Sequence, residues 1–238
     1  MLMYRTHQLN GGDNFLMDAI VNTALTGLFW LFVLAVIIGF FKSPYFKGWL
    51  GESAAGLSAR LFLPKDQYTT LHNVTLPTAD GTTQIDHVIV SRFGVFVVET
   101  KNYKGWIFGS EHKPTWTQKI YRRTHTFQNP LRQNYKHLKT LQTALSLSPQ
   151  VLHSVVVFMG ECTFKTPMPP NVCIGGAYTR YIKSKSVPVL SEAEVSRIVA
   201  AIQAERLAPT RATDRAHRQH VRHLQAKKEA PRLPRRPQ

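Results

Sequence analysis

Residues 84–101, QIDHVIVSRFGVFVVETK, set the tightest limit on what this chain can fold into. Two runs of β-branched and aromatic residues flank SRFG, and Gly94 is free to take the positive φ that a tight hairpin demands. With SRFG as the loop, Val90 pairs with Val95 and each further pair of positions sums to 185, so Asp86 falls opposite Glu99. Alternation then gathers Asp86, Val88 and Val90 on one face with Val95, Val97, Glu99 and Lys101, and sets Gln84 against Lys101. A three-residue loop would shift the register by one and take Asp86 off that face.

Charged groups in a strand this apolar need a reason, because burying them is costly unless they are paired or bind a metal. Two directly opposed carboxylates repel by up to about 1 kcal/mol, which makes them a poor structural pair. A divalent cation between them reverses that sign. Asp86, Glu99 and Lys101 therefore form either a chemical site or a structural ion-pair cluster.

The run ALTGLFWLFVLAVIIGFF, residues 24–41, is eighteen residues without a charge. At ~1.5 Å rise per residue it reaches ~27 Å, close to the hydrocarbon thickness of a bilayer. The competing reading is a core helix buried on all sides, which a 27.0 kDa chain has little protein to surround. A cleaved leader fits less well, since KSPYFK follows the run in place of a small-x-small site. Lys42, Lys47, Arg60 and Lys65 follow the span and only Arg5 precedes it, so the positive-inside rule puts the C-terminal bulk in the cytoplasm and residues 1–23 outside it. Cys162 and Cys173, with no CxxC or matched histidine spacing, read as reduced thiols.

The basic surplus lies beyond this segment: of the net charge of +16, residues 1–41 carry −1, residues 42–204 carry +10 and residues 205–238 carry +7. Such an excess favours anionic partners, nucleic acid or lipid headgroups. The pattern after the span predicts a helix near 49–62, a strand in TTLHNVTLP, a turn at ADG, the hairpin, and a short strand in GWIFG with Trp116 in the loop or strand after it. NPLRQNYKHLKTLQTAL reads as a helix capped by Asn129, with Leu131, Tyr135, Leu138, Leu141 and Leu145 as its stripe and Gln133 and His137 along one flank. VLHSVVVFMG reads as a strand, and Ser191 and Glu194 as the capping box of a closing helix. The class is α/β over residues 42–207. Residues 208–238, rich in arginine and poor in large apolar side chains, are expected to be disordered or a transient basic helix, with phosphates of nucleic acid or anionic lipid as partner.

Glu52 in the first helix, Asp86, and Glu99-x-Lys101 resemble the PD-(D/E)xK phosphodiesterase arrangement. GE at 51–52, IDHVIV, GVFVVETKNYKGWIFG, Trp116 and NPLRQNYKHL are similar in order and spacing to the nuclease-related domain, NERD, over about Lys47 to Phe158. The resemblance implies a restriction-endonuclease-like core, a mixed β-sheet flanked by helices, that hydrolyses phosphodiester bonds with Mg²⁺, or Mn²⁺ in its place. It implies Asp86 and Glu99 as metal ligands, Glu52 as a further ligand or one acting through water, Lys101 beside the attacking water and the phosphorane, and Gln133 completing the site. The function expected is that of a membrane-anchored nuclease acting on nucleic acid, DNA ahead of RNA. The alternative is a non-catalytic membrane-tethered nucleic-acid-binding or scaffold protein on the same fold. Taken singly, Glu52 and Gln133 are also ordinary surface residues, His87 a packed core histidine, and Trp106 and Trp116 core side chains rather than base-stacking platforms.

Overall fold

The computed structural model describes residues 10–43, 54, 55, 59 and 62–229, and the chain divides into two units, residues 1–47 and 48–238. In the first unit Asn10–Lys42 is one helix, α1. Its segment Val21–Gly39, with a mean hydropathy of 2.2, is the one stretch among the described residues that is long and apolar enough to cross a membrane. Leu28, Trp30 and Phe32 lie exposed along it. The helix starts well before the uncharged run, because Asn10 to Asn22 contains no proline to stop it.

In the second unit β1 (Tyr68–Thr78), β2 (Gly81–Ser91) and β3 (Gly94–Lys101) form an antiparallel meander. β7 (Leu152–Phe158) and β9 (Val172–Ile174) extend it in parallel, giving the mixed order β1-β2-β3-β7-β9. A second sheet, in the order β6-β5-β4-β8, is built from β4 (Gly105–Phe108), β5 (Thr115–Ile120), β6 (Arg123–Gln128) and β8 (Cys162–Phe164). Its strands are short and mostly polar, with Trp116 and Phe127 the buried positions of β5 and β6. The sequence pattern marks only β4 clearly.

Helices cover both faces of the larger sheet. On one side α2 (Pro130–Leu145) and α4 (Glu192–Glu205) pack Leu141, Ile198 and Ile202 against Val88, Val90, Val95 and Val97. On the other, α3 (Ala177–Lys183) brings Tyr178 and Ile182 onto Ile89, Phe96, Val98 and Val157, with Ala55, Ala59 and Leu63 beside them. Ala54, Ala55, Ala59 and Phe62 are helical, which are the described parts of the expected first helix. The Asn129 cap and the Ser191–Glu194 capping box form as expected. Tyr135, placed on the inner stripe of α2 by its spacing, is exposed, and Asn134 and His137 are buried in its stead.

One expectation needs correction. The β2–β3 register is as derived, Val90 against Val95, but the ladder ends at His87–Val98 and does not reach Asp86 and Glu99. Asn73 takes φ 49° on β1 beside this point, and below it Val74 and Ile85 turn to the α2 side together with Leu71 and Val88, so the alternation slips in both strands at once. Of residues 208–238, expected to be disordered or a transient basic helix, Arg211–Glu229 is a helix, α5. Thr210 accepts from the Thr213 N–H at its start, and His217 Nδ1 lies 2.9 Å from the Thr82 hydroxyl. Docking on β2 supplies what the composition lacks for a free-standing helix.

Candidate active site

The site stands at the end of β3 where the slip occurs. Asp86, released from the ladder, turns its carboxylate onto the next strand: Oδ2 accepts from the Thr100 N–H at 2.7 Å, in place of a β2 carbonyl. Glu99 and Lys101 remain on the α2 side with Val97, as the alternation of β3 requires. Glu99 is 3 % exposed, and its carboxylate is held by three groups. Oε1 accepts from Lys101 Nζ at 2.6 Å and from Gln133 Nε2 at 2.7 Å, while His137 Nε2 lies 3.2 Å from Oε2. Lys101 Nζ also donates to Gln133 Oε1 at 2.9 Å, so the amide bridges both members of the ion pair.

α2 is aimed by two asparagines. Asn129 caps it through the Leu131 N–H and donates to the carbonyls of Ser110, Glu111 and Lys113, fixing where the helix begins. Asn134 is fully buried and donates to the carbonyls of Val97 and Val155 and to Ser154 Oγ, pinning the helix across β3 and β7. Gln133 precedes that pin, and His137 follows it by one turn, with Nδ1 2.8 Å from the Thr83 hydroxyl.

The electrostatics favour a charged pair. Burial pushes the Glu99 carboxyl up, but the Lys101 ammonium and then His137 outweigh it and hold it below its usual range. Burial likewise opposes the charge on Lys101, and Glu99 foremost, with Asp86 and Tyr103, reverses this and raises its pKa. Lys101 is therefore an ammonium across the physiological range and suited to stabilising negative charge, not to taking up a proton. His87 lies on the opposite face with Nδ1 2.8 Å from His72 Nδ1, and burial, then His72, lower it to about 3. It is a neutral core histidine.

Of the sequence-derived site residues, the structure brings Glu99, Lys101 and Gln133 into direct contact and sets Asp86 one backbone amide away, on Thr100. Gln84 is not the partner of Lys101, since β2 and β3 separate before it. Glu52 lies outside the described residues. His137, Thr83 and Asn134 complete the cluster; the signal for His137 and Asn134 was the run of polar residues on α2 next to its leucine stripe, and nothing in β2 singled out Thr83. Among the described residues no three histidine, cysteine or acidic side chains group closely enough to hold a metal ion. The donor chemistry nonetheless suits Mg²⁺, which takes one or two carboxylates and keeps several waters.

Comparison with known proteins agrees with this architecture: residues 47–159 match the nuclease-related domain, NERD. The NERD domain is confined to that segment, a little under half of the chain. Its general placement is in the PD-(D/E)xK superfamily. An uncharacterized protein of Bacillus anthracis is 46 % identical over 123 residues, which make up 51 % of this chain and 57 % of the relative, so the match spans a little over half of that protein. No solved structure matches the chain. The matched segment takes in β1 to β7 and α2, and thus every residue of the Glu99 cluster.

Proposed function

We propose that the NERD domain is a metal-dependent nuclease that hydrolyses phosphodiester bonds in nucleic acid, DNA ahead of RNA, and that α1 tethers it to the cytoplasmic membrane with the domain inside. The observation that carries the reading is the half-buried Lys101 ammonium, locked between Glu99 and Gln133 at the end of the central strand β3, where Asp86 also turns. A structural ion pair has no need of a second carboxylate that abandons its ladder position beside it.

Asp86 and Glu99 would hold Mg²⁺ or Mn²⁺, which when bound supplies Lewis-acid polarisation of a phosphoryl oxygen and an acidified water. Glu52, two residues outside the described start of the domain's helix, is the candidate for a further ligand. Lys101 places its positive charge where the phosphorane gathers negative charge, a role that needs no proton transfer from the ammonium. Gln133 orients Lys101 and Glu99 together. His137, held by Thr83, fixes the second oxygen of Glu99. The net +10 of residues 42–204 and the +7 beyond them supply a sequence-independent pull on phosphates, and α5 puts part of that charge beside the β1–β2 hairpin.

The test is incubation of the full chain, in detergent or nanodiscs, with labelled single- and double-stranded DNA and RNA in Mg²⁺, Mn²⁺ or EDTA. Metal-dependent cleavage supports the reading. Binding without cleavage under every metal favours the scaffold alternative, in which the same cluster is a structural ion pair.

A further inference from the structure

The second sheet turns one face away from the core, and that face is both aromatic and basic. Trp116 and Trp106 divide the roles: Trp116 is 1 % exposed and stacks on Phe158, whereas Trp106 is 47 % exposed. Lys165 Nζ lies 4.6 Å from the centre of the Trp106 ring and Lys119 Nζ 5.9 Å, Lys119 being its cross-strand partner in β5. The β5–β6 hairpin ends in Tyr121, which is 95 % exposed and takes φ 50° at the first position of a two-residue loop, where Gly, Asn or Asp is the ordinary choice. Arg122 and Arg123 follow it, and the hairpin Thr115–Gln128 contains three basic residues and no acidic one.

We propose that this face, with Trp106 and Tyr121 as stacking platforms and Lys119, Lys165 and the loop residue Arg122 as phosphate contacts, binds single-stranded nucleic acid and feeds it to the Glu99–Lys101 site. The inference rests on the nuclease reading and names its substrate class. Bases in a duplex turn their faces to one another, so exposed indole and phenol rings can take up only unpaired bases, while the flanking cations follow the backbone. The distance is short. Trp106 is five residues beyond Lys101, which limits the separation of their α-carbons to ~18 Å even in a fully extended chain. Past the ends of β3 and β7 the Met159 N–H donates to the Lys101 carbonyl at 2.9 Å, and just beyond it the Gly105 N–H at the start of β4 donates to the Glu161 carbonyl at 2.8 Å, so the two sheets share this corner.

The experiment measures binding of fluorescein-labelled (dT)20 and of a 20-base-pair duplex to the full chain by anisotropy, at low salt and in EDTA. Trp106→Ala and Tyr121→Ala are each expected to weaken (dT)20 binding by roughly 5- to 100-fold, the usual loss for a stacked base, with duplex affinity held within about twofold. Trp106→Phe should keep most of the affinity. Lys119→Gln with Lys165→Gln should flatten the dependence of log affinity on log salt by about 1.4 for the single strand. Unchanged (dT)20 affinity in the Trp106→Ala, Tyr121→Ala double variant overturns the proposal, as does an equal loss for the duplex. If the Trp106 emission, taken as the difference from Trp106→Phe, moves to the blue on passing from phosphatidylcholine to phosphatidylserine-containing nanodiscs and ignores (dT)20, the face belongs to lipid and the proposal falls. Because binding is read in EDTA, these outcomes are independent of cleavage. Absence of any Mg²⁺- or Mn²⁺-dependent cleavage would strike the nuclease reading alone.

Discussion

Replacing Lys101 by methionine separates the charge of the pair from its packing. Two opposite charges 2.6 Å apart attract by ~6 kcal/mol at an effective dielectric constant of about 20. That energy is largely balanced by desolvation, so the intact pair is worth little against an apolar replacement of both partners. Removing Lys101 alone leaves Glu99 buried beside Gln133 and His137, with its burial no longer outweighed. Its pKa then rises above the ordinary carboxylate value of 4.5, and the folded state can always escape by binding a proton. The escape limits the penalty: at 1.36 kcal/mol per pH unit above 4.5 it is about 3 kcal/mol at pH 7 and below about 1 at pH 5. The pH slopes have opposite signs. In the wild type Glu99 is held low, so its contribution is complete above 4.5 and lost as pH falls below that value. In the variant its pKa is raised, so stability is best in acid and lost as pH rises. Urea denaturation of the full chain in EDTA, followed by the emission of buried Trp116, reads both. A Lys101→Met chain whose deficit from wild type is the same at pH 5 and pH 7 would refute the reasoning, because Glu99 would then be reaching water in the fold.

Asn134→Leu should destabilise the domain by about 3 kcal/mol in the same assay, because it strands the carbonyls of Val97 and Val155 at a closed helix–sheet contact; a loss below about 1 would mean that water reaches them. Gly94→Ala should destabilise by about 2 kcal/mol, since φ is +131° there and a Cβ would lie 2.8 Å from the Val151 carbonyl oxygen; an unchanged midpoint would mean that the turn can relax. The full chain should sediment with membranes and require detergent for extraction, and a reporter fused after Gln238 should be active in the cytoplasm. Recovery in the soluble fraction, or a reporter exposed outside, would remove the anchor reading of α1.

The parts of the fold that follow from strong periodicity were legible: the β2–β3 register, the apolar helix, the two caps of α2 and α4, and the α/β class. Glu99 and Lys101 could be placed on one face because β3 is regular. Asp86 could not, because the slip depends on Asn73 taking a left-handed conformation that neither a glycine nor a turn motif announces. The second sheet was nearly invisible for a related reason. β5 and β6 carry one buried position each and β8 is three residues long, so no alternation rises above the polar background. His137 could be placed beside Gln133 on the α2 flank, but not its role, because metal spacing was sought and it lies instead against a carboxylate across the helix–sheet contact. Composition left disorder and a transient basic helix both open after Leu207, and the docking of His217 on Thr82 is what makes the helix intelligible.

The central claim is that Lys101 acts on the reaction by its charge while Asp86 and Glu99 hold the metal. The most direct measurement compares wild type, Asp86→Ala, Glu99→Gln and Lys101→Ala in one experiment that records metal binding, by Mn²⁺ titration, beside cleavage of a labelled oligonucleotide. The account predicts that Asp86→Ala and Glu99→Gln lose both metal affinity and cleavage, since a direct ligand is gone. It predicts that Lys101→Ala keeps metal affinity while turnover falls by on the order of 10²-fold or more, and that all of these variants still bind nucleic acid. Wild type that binds no metal and cuts nothing, together with an Asp86→Ala chain that fails to fold, would contradict it and leave the cluster a structural ion pair.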